Sequence, residues 1–308
     1  MAQTVPTLQL NTGALLPAIG LGTWKSSEDD TYNAVKSAIA AGYRHIDTAA
    51  NYRNESAVGR AIRDSGIPRE DLWITTKLVS TQHRNPKEGL EGSLKRLGLD
   101  YVDLYLIHWP VALKTDKLAS GDLFSIPLLP NGRRDIDVED WDFVKTWRLM
   151  QELPKTGKCR NIGVSNFSIN NLKKILESGE KLTVPAVNQI EVHPQLPQTE
   201  LIDFCKDHGI VVEAYSPLGS SDSAMLTHPV LVNLAKKYDA QPANVLINWG
   251  LSRGYCVLPK SINDMRIKSN FRQITLSDED FQAVTHLIDE LGAKRYVQPD
   301  WRPWPIFE

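Results

Sequence analysis

The chain alternates between short runs rich in β-branched and apolar residues and longer stretches whose apolar residues have helical spacing. About eight such runs are predicted as strands, each with a helical candidate after it. They cover residues 19–23, 43–47, 72–76, 102–107, 161–164, 186–190, 211–214 and 256–258. Strands that alternate with helices predict a parallel sheet, because parallel neighbours need a long crossover connection.

Residues that favour helix ends support this division. Asn85 precedes a proline and is expected to cap one helix, and Ser27 begins a second capping pattern. Gly98 and Gly209 stand where two helices should end. The helical stretches are therefore expected to stop and start between the predicted strands.

A closed barrel explains the repeated units better than an open sheet does. An open doubly wound sheet would be expected to carry G-x-G-x-x-G after its first strand, and the nearest candidate, residues 20–25, lacks the third glycine. No linker-like change of composition divides the chain. We therefore predict an α/β fold of the (β/α)8, or TIM barrel, type, as one domain over residues 1–308. Residues 109–140, after the fourth strand, and residues 291–308 are predicted long loops.

Composition excludes several classes of protein. Lys and Arg number 35 and Asp and Glu 37, so the net charge of −2 gives no electrostatic footprint for nucleic acid. Cys159, Cys205 and Cys256 are widely spaced, so no metal site is expected and all three are interpreted as buried apolar residues. The absence of a signal-peptide pattern and of a long apolar run predicts a cytoplasmic protein with no membrane contact.

Polar residues end nearly every predicted strand. In a barrel of this type, the carboxyl ends of the strands meet at one mouth, where the chemistry takes place. The sequence therefore predicts an active site built from these strand-end residues: Asp47, Lys77, His108, Ser165, Asn166, Gln189, Tyr215 and Lys260.

Several motifs give the chain a resemblance to the aldo-keto reductase family. GYRHIDTA at residues 42–49, followed by Tyr52, resembles the family signature. LIHWP at 106–110, GVSNF at 163–167, NQ at 188–189 and PKS at 259–261 follow in the family's order and spacing. The match covers essentially the whole chain. It most resembles the fungal members of glyceraldehyde reductase and glycerol dehydrogenase type and those that reduce α-keto esters.

The resemblance implies a catalytic tetrad of Asp47, Tyr52, Lys77 and His108. Reduction of a carbonyl needs a proton on the developing alkoxide, and an adjacent lysine cation is expected to lower the tyrosine pKa from about 10. Asp47 would hold Lys77, and His108 would orient the substrate oxygen. Taken singly, a buried Asp–Lys pair or a strand-end histidine is usually structural, whereas four such residues in matched motifs favour catalysis.

With no metal or flavin signal, the hydride donor is expected to be a nicotinamide dinucleotide. The resemblance implies that Ser165, Asn166 and Gln189 bind its carboxamide and that Tyr215 stacks on its ring. The loop that would wrap the pyrophosphate contains Ser216, Leu218 and Ser220.

The family's adenosine end is matched by Lys260, Ser261, Arg266 and Asn270. Two cations and a hydroxyl suit the 2′-phosphate of NADPH/NADP+. As solvated surface charges, Lys260 and Arg266 would have no such role. Ser269 departs from the Glu or Gln of many relatives, which puts the adenine contact in doubt.

The substrate pocket is expected to be lined by Trp24, Val79, Trp109 and Trp301, beside Tyr52. Several relatives have tryptophan at the position of Val79, so a wider pocket is predicted here. The aromatic tail residues, which include Trp304 and Phe307, either close the pocket or anchor the terminus to the barrel.

These observations predict a monomeric NADPH-dependent enzyme that reduces small aldehydes and ketones, including keto esters. One alternative is a non-catalytic relative with a binding or structural role, against which the intact tetrad argues. Another is a phosphate-binding barrel enzyme such as an aldolase or isomerase. Lys77 could serve that chemistry, but Tyr52 and the Lys260 cluster would then be unexplained.

Overall fold

The fold is a closed barrel of eight parallel strands. The computed structural model describes residues 5–116, 118, 122–220 and 223–308. In chain order the strands are β1 (Thr7–Gln9), β2 (Leu15–Pro17), β3 (Leu21–Gly22), β4 (His45–Asp47), β5 (Trp73–Leu78), β6 (Val102–Ile107), β7 (Ala112–Leu113), β8 (Ile136–Asp137), β9 (Cys159–Ser165), β10 (Val187–Glu191), β11 (Val211–Tyr215) and β12 (Cys256–Leu258). Strands β3–β6 and β9–β12 lie side by side in that order. Gly20 N donates to Val257 O at 3.0 Å and Gly22 N to Pro259 O at 3.0 Å, so the first and last strands meet. The predicted (β/α)8 fold is confirmed.

Helices surround the barrel. They are α1 (Glu28–Ala41), α2 (Glu55–Ser65), α3 (Pro86–Leu97), α4 (Phe143–Met150), α5 (Ile169–Leu176), α6 (Thr199–Asp207), α7 (Pro229–Lys237), α8 (Pro242–Ser252), α9 (Asp264–Asn270), α10 (Asp278–Thr285) and α11 (Leu287–Leu291). Each barrel strand is followed by at least one of them; β11 is followed by two and β12 by three. The largest apolar cluster lies between the outer face of the sheet and these helices. Among the described helices, none has the length and apolar character needed to cross a bilayer.

The helix-end predictions hold at three of four positions. Ser27 Oγ accepts from Asp30 N at 3.1 Å at the start of α1, and Gly98 ends α3 with φ of 64°. Gly209, just after α6, has φ of 68°. The expected side-chain cap at Asn85 is wrong: this residue precedes α3, but its backbone (φ −136°, ψ 58°) departs from the extended conformation of a capping residue and its side chain makes no capping bond.

The amino-terminal end of the barrel is closed by apolar residues. The β1–β2 hairpin contributes Leu10 and Leu16, which pack with Trp73, Leu104 and Leu106 from the barrel strands. This apolar plug leaves the opposite end, where the strands finish, as the polar end of the barrel. The three cysteines are buried and unpaired, as expected.

The two predicted long loops pack together beside that polar end. Within residues 109–140 the chain forms the antiparallel pair β7–β8; residues 117 and 119–121 of this segment lie outside the described residues. Trp301 and Ile306 from the tail join Leu113 and Ile136 from the insertion in one apolar cluster. The insertion and the tail therefore build one wall of the barrel mouth.

Candidate active site

The polar strand-end residues converge at the mouth, as the parallel arrangement requires. Asp47 ends β4, Ser165 ends β9 and Tyr215 ends β11, while Lys77 lies one residue before the end of β5. His108 directly follows β6. Tyr52 completes a short 3-10 turn, Ala50–Tyr52, which returns the chain over the end of β4. Residues that lie far apart in the sequence are therefore brought close together at the mouth of the barrel.

Lys77 is completely buried and is held by oxygen atoms. Its Nζ donates to both carboxylate oxygens of Asp47 at 2.8 Å and to the Thr48 carbonyl at 2.9 Å. The Tyr52 hydroxyl lies 3.3 Å from the same nitrogen. Burial opposes the charge on Lys77, but Asp47 and, to a smaller extent, Tyr52 together more than offset this and raise the pKa of Lys77 above its usual value. The ammonium is therefore charged and fixed in position beside Tyr52.

The state of Tyr52 differs in one respect from the sequence-based expectation. Lys77 lowers the pKa of Tyr52, as expected, but burial raises it by more and Asp47 raises it further. The net pKa of the hydroxyl is therefore above its ordinary value. Tyr52 consequently keeps its proton throughout the neutral range, with the Lys77 cation in place to stabilise the phenolate once the proton leaves.

His108 is a neutral imidazole at the floor of the mouth. Burial, and secondarily the nearby Lys77 cation, hold the pKa of His108 well below its usual value. Its ring meets the Tyr52 ring edge-on, with centroids 5.6 Å apart. Nδ1 is buried with no partner among the described residues, so the proton is better placed on Nε2, where it can be donated.

Three residues expected to bind the carboxamide are joined to the tetrad by hydrogen bonds. Gln189 Nε2 donates to Asp47 Oδ2 at 2.8 Å, and Asn166 Nδ2 donates to the His108 carbonyl at 2.9 Å. Ser165 Oγ donates to the Gln189 carbonyl at 2.8 Å. Tyr215 OH donates to Asn166 Oδ1 at 2.7 Å, which fixes the tyrosine ring over the barrel end. These bonds bring the expected cofactor residues and the tetrad into one network.

The residues expected at the far end of the cofactor are more exposed. Ser216 has a left-handed backbone, with φ of 50°, and starts a tight turn closed by Gly219 N donating to its carbonyl at 2.8 Å; Leu218 is half-buried and Ser220 exposed. Lys260 and Arg266 are exposed, and Ser261 is half-buried. Asn270 is buried on α9, so it offers the least surface of this group.

The expected pocket residues fall into separate environments. Trp109 stacks on His108 at 6.2 Å between centroids and contacts Trp301 at 5.8 Å and Phe307 at 6.3 Å. Trp304 packs on Phe143 of α4 instead, so the tail both reaches the pocket wall and anchors itself. Trp24, 40% exposed, stands on another edge of the mouth under the Lys25 ammonium. Val79 is buried but belongs to none of the apolar clusters of the described residues.

Sequence reasoning missed Glu213. This carboxyl lies inside the barrel on β11, fully buried, and its Oε2 accepts from Gln189 Nε2 at 2.7 Å. The available signal was the acidic residue within the otherwise apolar run VVEAY at 211–215. His45 and Cys256 lie close to it, but Cys256 faces Nδ1 of His45 and Glu213 faces Nε2. A single metal ion cannot be bound by both ring nitrogens.

The chain is similar to known proteins over almost its whole length. Residues 18–289 match the sequence model of a family that is described as the Aldo/keto reductase family. Glycerol 2-dehydrogenase (NADP(+)) of Saccharomyces cerevisiae is 59% identical over 302 residues, which are 98% of this chain and 96% of that protein. Aldehyde reductase YPR1 of the same yeast is 56% identical, covering 98% and 97%. D-galacturonate reductase of Hypocrea jecorina is 41% identical, covering 95% of each chain.

Proposed function

This chain belongs to the aldo/keto reductase family, and on that premise we propose that it reduces small aldehydes and ketones to alcohols with NADPH. The observation that carries the proposal is the buried contact of Lys77 Nζ with Asp47 at 2.8 Å and with the Tyr52 hydroxyl at 3.3 Å. A cation held beside a protonated phenol at a barrel mouth is an arrangement suited to general acid catalysis. The redox chemistry and the cofactor are inferred from the names of the yeast relatives, an aldehyde reductase and an NADP(+)-dependent glycerol dehydrogenase.

The residues present fit a nicotinamide dinucleotide. No donor among the described residues contacts Gln189 Oε1, so this acceptor is available to the N–H group of a carboxamide. Ser165 and Asn166 lie beside it with hydroxyl and amide groups, and Tyr215 offers an aromatic face. Lys260 and Arg266 present two exposed cations for the 2′-phosphate. When bound, NADPH supplies the hydride that reaches the carbonyl carbon.

Each residue of the tetrad then has a distinct task. His108 donates from Nε2 to the carbonyl oxygen and orients it. Tyr52 transfers its hydroxyl proton to that oxygen as negative charge develops there. Lys77 stabilises the Tyr52 phenolate left behind, and Asp47 keeps Lys77 charged and in place. Trp109 and Trp301 form an apolar wall that helps exclude water.

The test is a panel of aldehydes, ketones and keto esters assayed by loss of NADPH absorbance, with wild type and Tyr52→Phe compared. We expect the substitution to lower kcat at least about 100-fold, because the proton donor is lost. NADPH affinity, measured by fluorescence quenching, should change little, since the missing hydroxyl contacts no expected cofactor residue. Near-normal turnover in the variant would contradict the assignment of Tyr52. Absence of NADPH-dependent turnover in the wild type across the panel would contradict the proposed function and favour a binding role.

A further inference from the structure

Glu213 is a fully buried carboxyl group that the proposed chemistry does not use. It points into the barrel from the middle of β11, one layer below the mouth. Its Oε2 accepts from Gln189, while its Oε1 is buried with no hydrogen bond partner among the described residues. A carboxyl group in such a place is costly to bury, so its contact with Gln189 needs an explanation.

The contact determines how the Gln189 amide is oriented. Asp47 Oδ2 lies 2.8 Å and Glu213 Oε2 lies 2.7 Å from the same amide nitrogen. An amide NH2 group has two hydrogens, so the two carboxyl groups use both of them. The opposite orientation would turn the amide oxygen toward the Asp47 carboxylate, which can only accept, and is therefore disfavoured. The amide carbonyl, Oε1, is thereby committed to the role of acceptor.

We propose that Glu213 is a positioning residue for cofactor recognition: with Asp47 it locks the Gln189 side chain, so that Oε1 accepts a hydrogen bond from the carboxamide N–H of the nicotinamide. This inference rests on the proposed function. It also makes Gln189 the link between the cofactor and the Asp47–Lys77 pair, because one amide group contacts both. A hydride donor that lacks this N–H group should be discriminated against.

The groups around Glu213 explain how a second acid is accommodated beside Asp47. Those that face it are Gln189, Asp47, His45, Cys256 and, at longer range, Lys77. Burial, followed by the Asp47 charge, raises the pKa of Glu213 to about 8. At neutral pH Glu213 therefore holds a proton, which is better placed on Oε1, while Oε2 accepts from Gln189.

The experiment compares NADP+ with its 3-acetylpyridine analogue, in which an acetyl group replaces the carboxamide and no N–H is present. Dissociation constants for both are measured by tryptophan fluorescence quenching in wild type, Glu213→Met and Glu213→Gln. Glu55→Gln is the matched control, because Glu55 is a second buried carboxylate whose partners, Thr76 and Arg96, include neither Gln189 nor Asp47. Both dinucleotides are titrated against the same preparation, so their ratio does not depend on the folded fraction.

We expect Glu213→Met to reduce the preference for NADP+ over the analogue about three- to tenfold, the value of one hydrogen bond. Glu213→Gln retains an acceptor and should stay within about twofold of wild type, as should Glu55→Gln. An unchanged preference in Glu213→Met would overturn the inference, as would an equal loss of preference in Glu55→Gln. NADPH consumption by the wild type tests the proposed function separately: turnover with an unchanged preference in Glu213→Met refutes only the positioning role.

Discussion

At the scale of single residues, Lys77 shows how packing creates a reactive environment. Its ammonium has three hydrogens and faces four oxygen atoms, of which the Tyr52 hydroxyl is the most distant. The shorter bonds to Asp47 and Thr48 hold the nitrogen in place beside the Tyr52 hydroxyl. Positive charge is thus available where negative charge develops, without movement of the chain.

Cofactor choice is predicted to depend on Arg266, an exposed cation in the first turn of α9. Arg266→Ala should weaken NADPH binding by about one to two decades and leave NADH binding almost unchanged, because a charge-assisted bond to the 2′-phosphate is lost. Titration with each cofactor checks this. Lys268→Ala is the matched control, since Lys268 lies on the same helix and pairs with Asp264. Equal losses for NADPH and NADH would show that Arg266 does not bind this phosphate.

Substrate size is predicted to depend on Val79, which follows β5 and lies outside the apolar clusters of the described residues. Val79→Trp should raise KM for a bulky aryl ketone more than for glyceraldehyde, because the indole fills the space beside Lys77. A single apolar change in a pocket typically alters discrimination by about 1–3 kcal/mol. The kcat/KM values for the two substrates and the Tm are measured together. An unchanged kcat/KM ratio with a lowered Tm would place Val79 in barrel packing instead.

Some residues of the site can be predicted from the sequence and others cannot. Asp47, Tyr52, Lys77 and His108 lie in contiguous motifs, and the structure brings these four side chains together, although their catalytic roles stay a prediction. Glu213 could not be assigned, because alternation along a short strand does not say whether an acid faces inward. Its environment depends on β10, 24 residues earlier, and on β4, much earlier still. The Tyr52 pKa likewise depends on partial burial beside Lys77 and Asp47, which no local pattern encodes.

At the scale of elements, local pattern predicts which strands exist better than where they end. Residues 102–107 and 256–258 have the observed limits of β6 and β12, whereas the strand expected at 43–47 begins at His45. Tyr43 leaves the strand because its ring packs on Phe271 at 4.6 Å and its hydroxyl donates to the Ile267 carbonyl. The two-residue strands β7 and β8 were not predicted, since a pair this short has no periodicity to detect.

The contact between α2 and α3 is predicted to depend on Gly59. A Cβ atom at this position would lie 1.8 Å from the Leu97 carbonyl oxygen, which belongs to rigid helical backbone. Gly59→Ala should therefore lower the free energy of unfolding by roughly 3 kcal/mol, through forced separation of the helices. Gly92→Ala is the control, because its Cβ would meet only the flexible Arg96 side chain. In urea unfolding, the free energy of unfolding of Gly92→Ala should be unchanged or raised by about 0.5–1 kcal/mol. Similar decreases in Gly59→Ala and Gly92→Ala would contradict the packing explanation.

At the scale of the whole molecule, buried ionisable groups give stability a predicted maximum near neutral pH. Burial lowers the pKa of His45 and His83 from 6.5 to about 3, so the unfolded chain binds more protons between these values and stability falls as the pH falls. Glu213 behaves oppositely: its pKa rises from 4.5 to about 8, the folded state holds the extra proton, and stability falls as the pH rises through that window. Each group contributes about 1.4 kcal/mol per pH unit at most.

Free energies of unfolding measured from about pH 5 to about pH 8.5 in wild type and Glu213→Gln test this dependence. The variant should lose the decline between neutral pH and pH 8 and keep the decline on the acid side, because the histidines are unchanged. An alkaline decline of the same slope in Glu213→Gln would assign it to other groups.

The hydrogen bonds between β3 and β12, which close the barrel, limit when folding can be completed during synthesis. These bonds join residues near position 20 to residues near position 258, so the barrel cannot close until the chain has been synthesised past residue 258. Until then the growing sheet exposes two unpaired strand edges, at β3 and at the most recently emerged strand. The topology therefore leaves these two edges open to pairing with other chains until the last strand has joined the first.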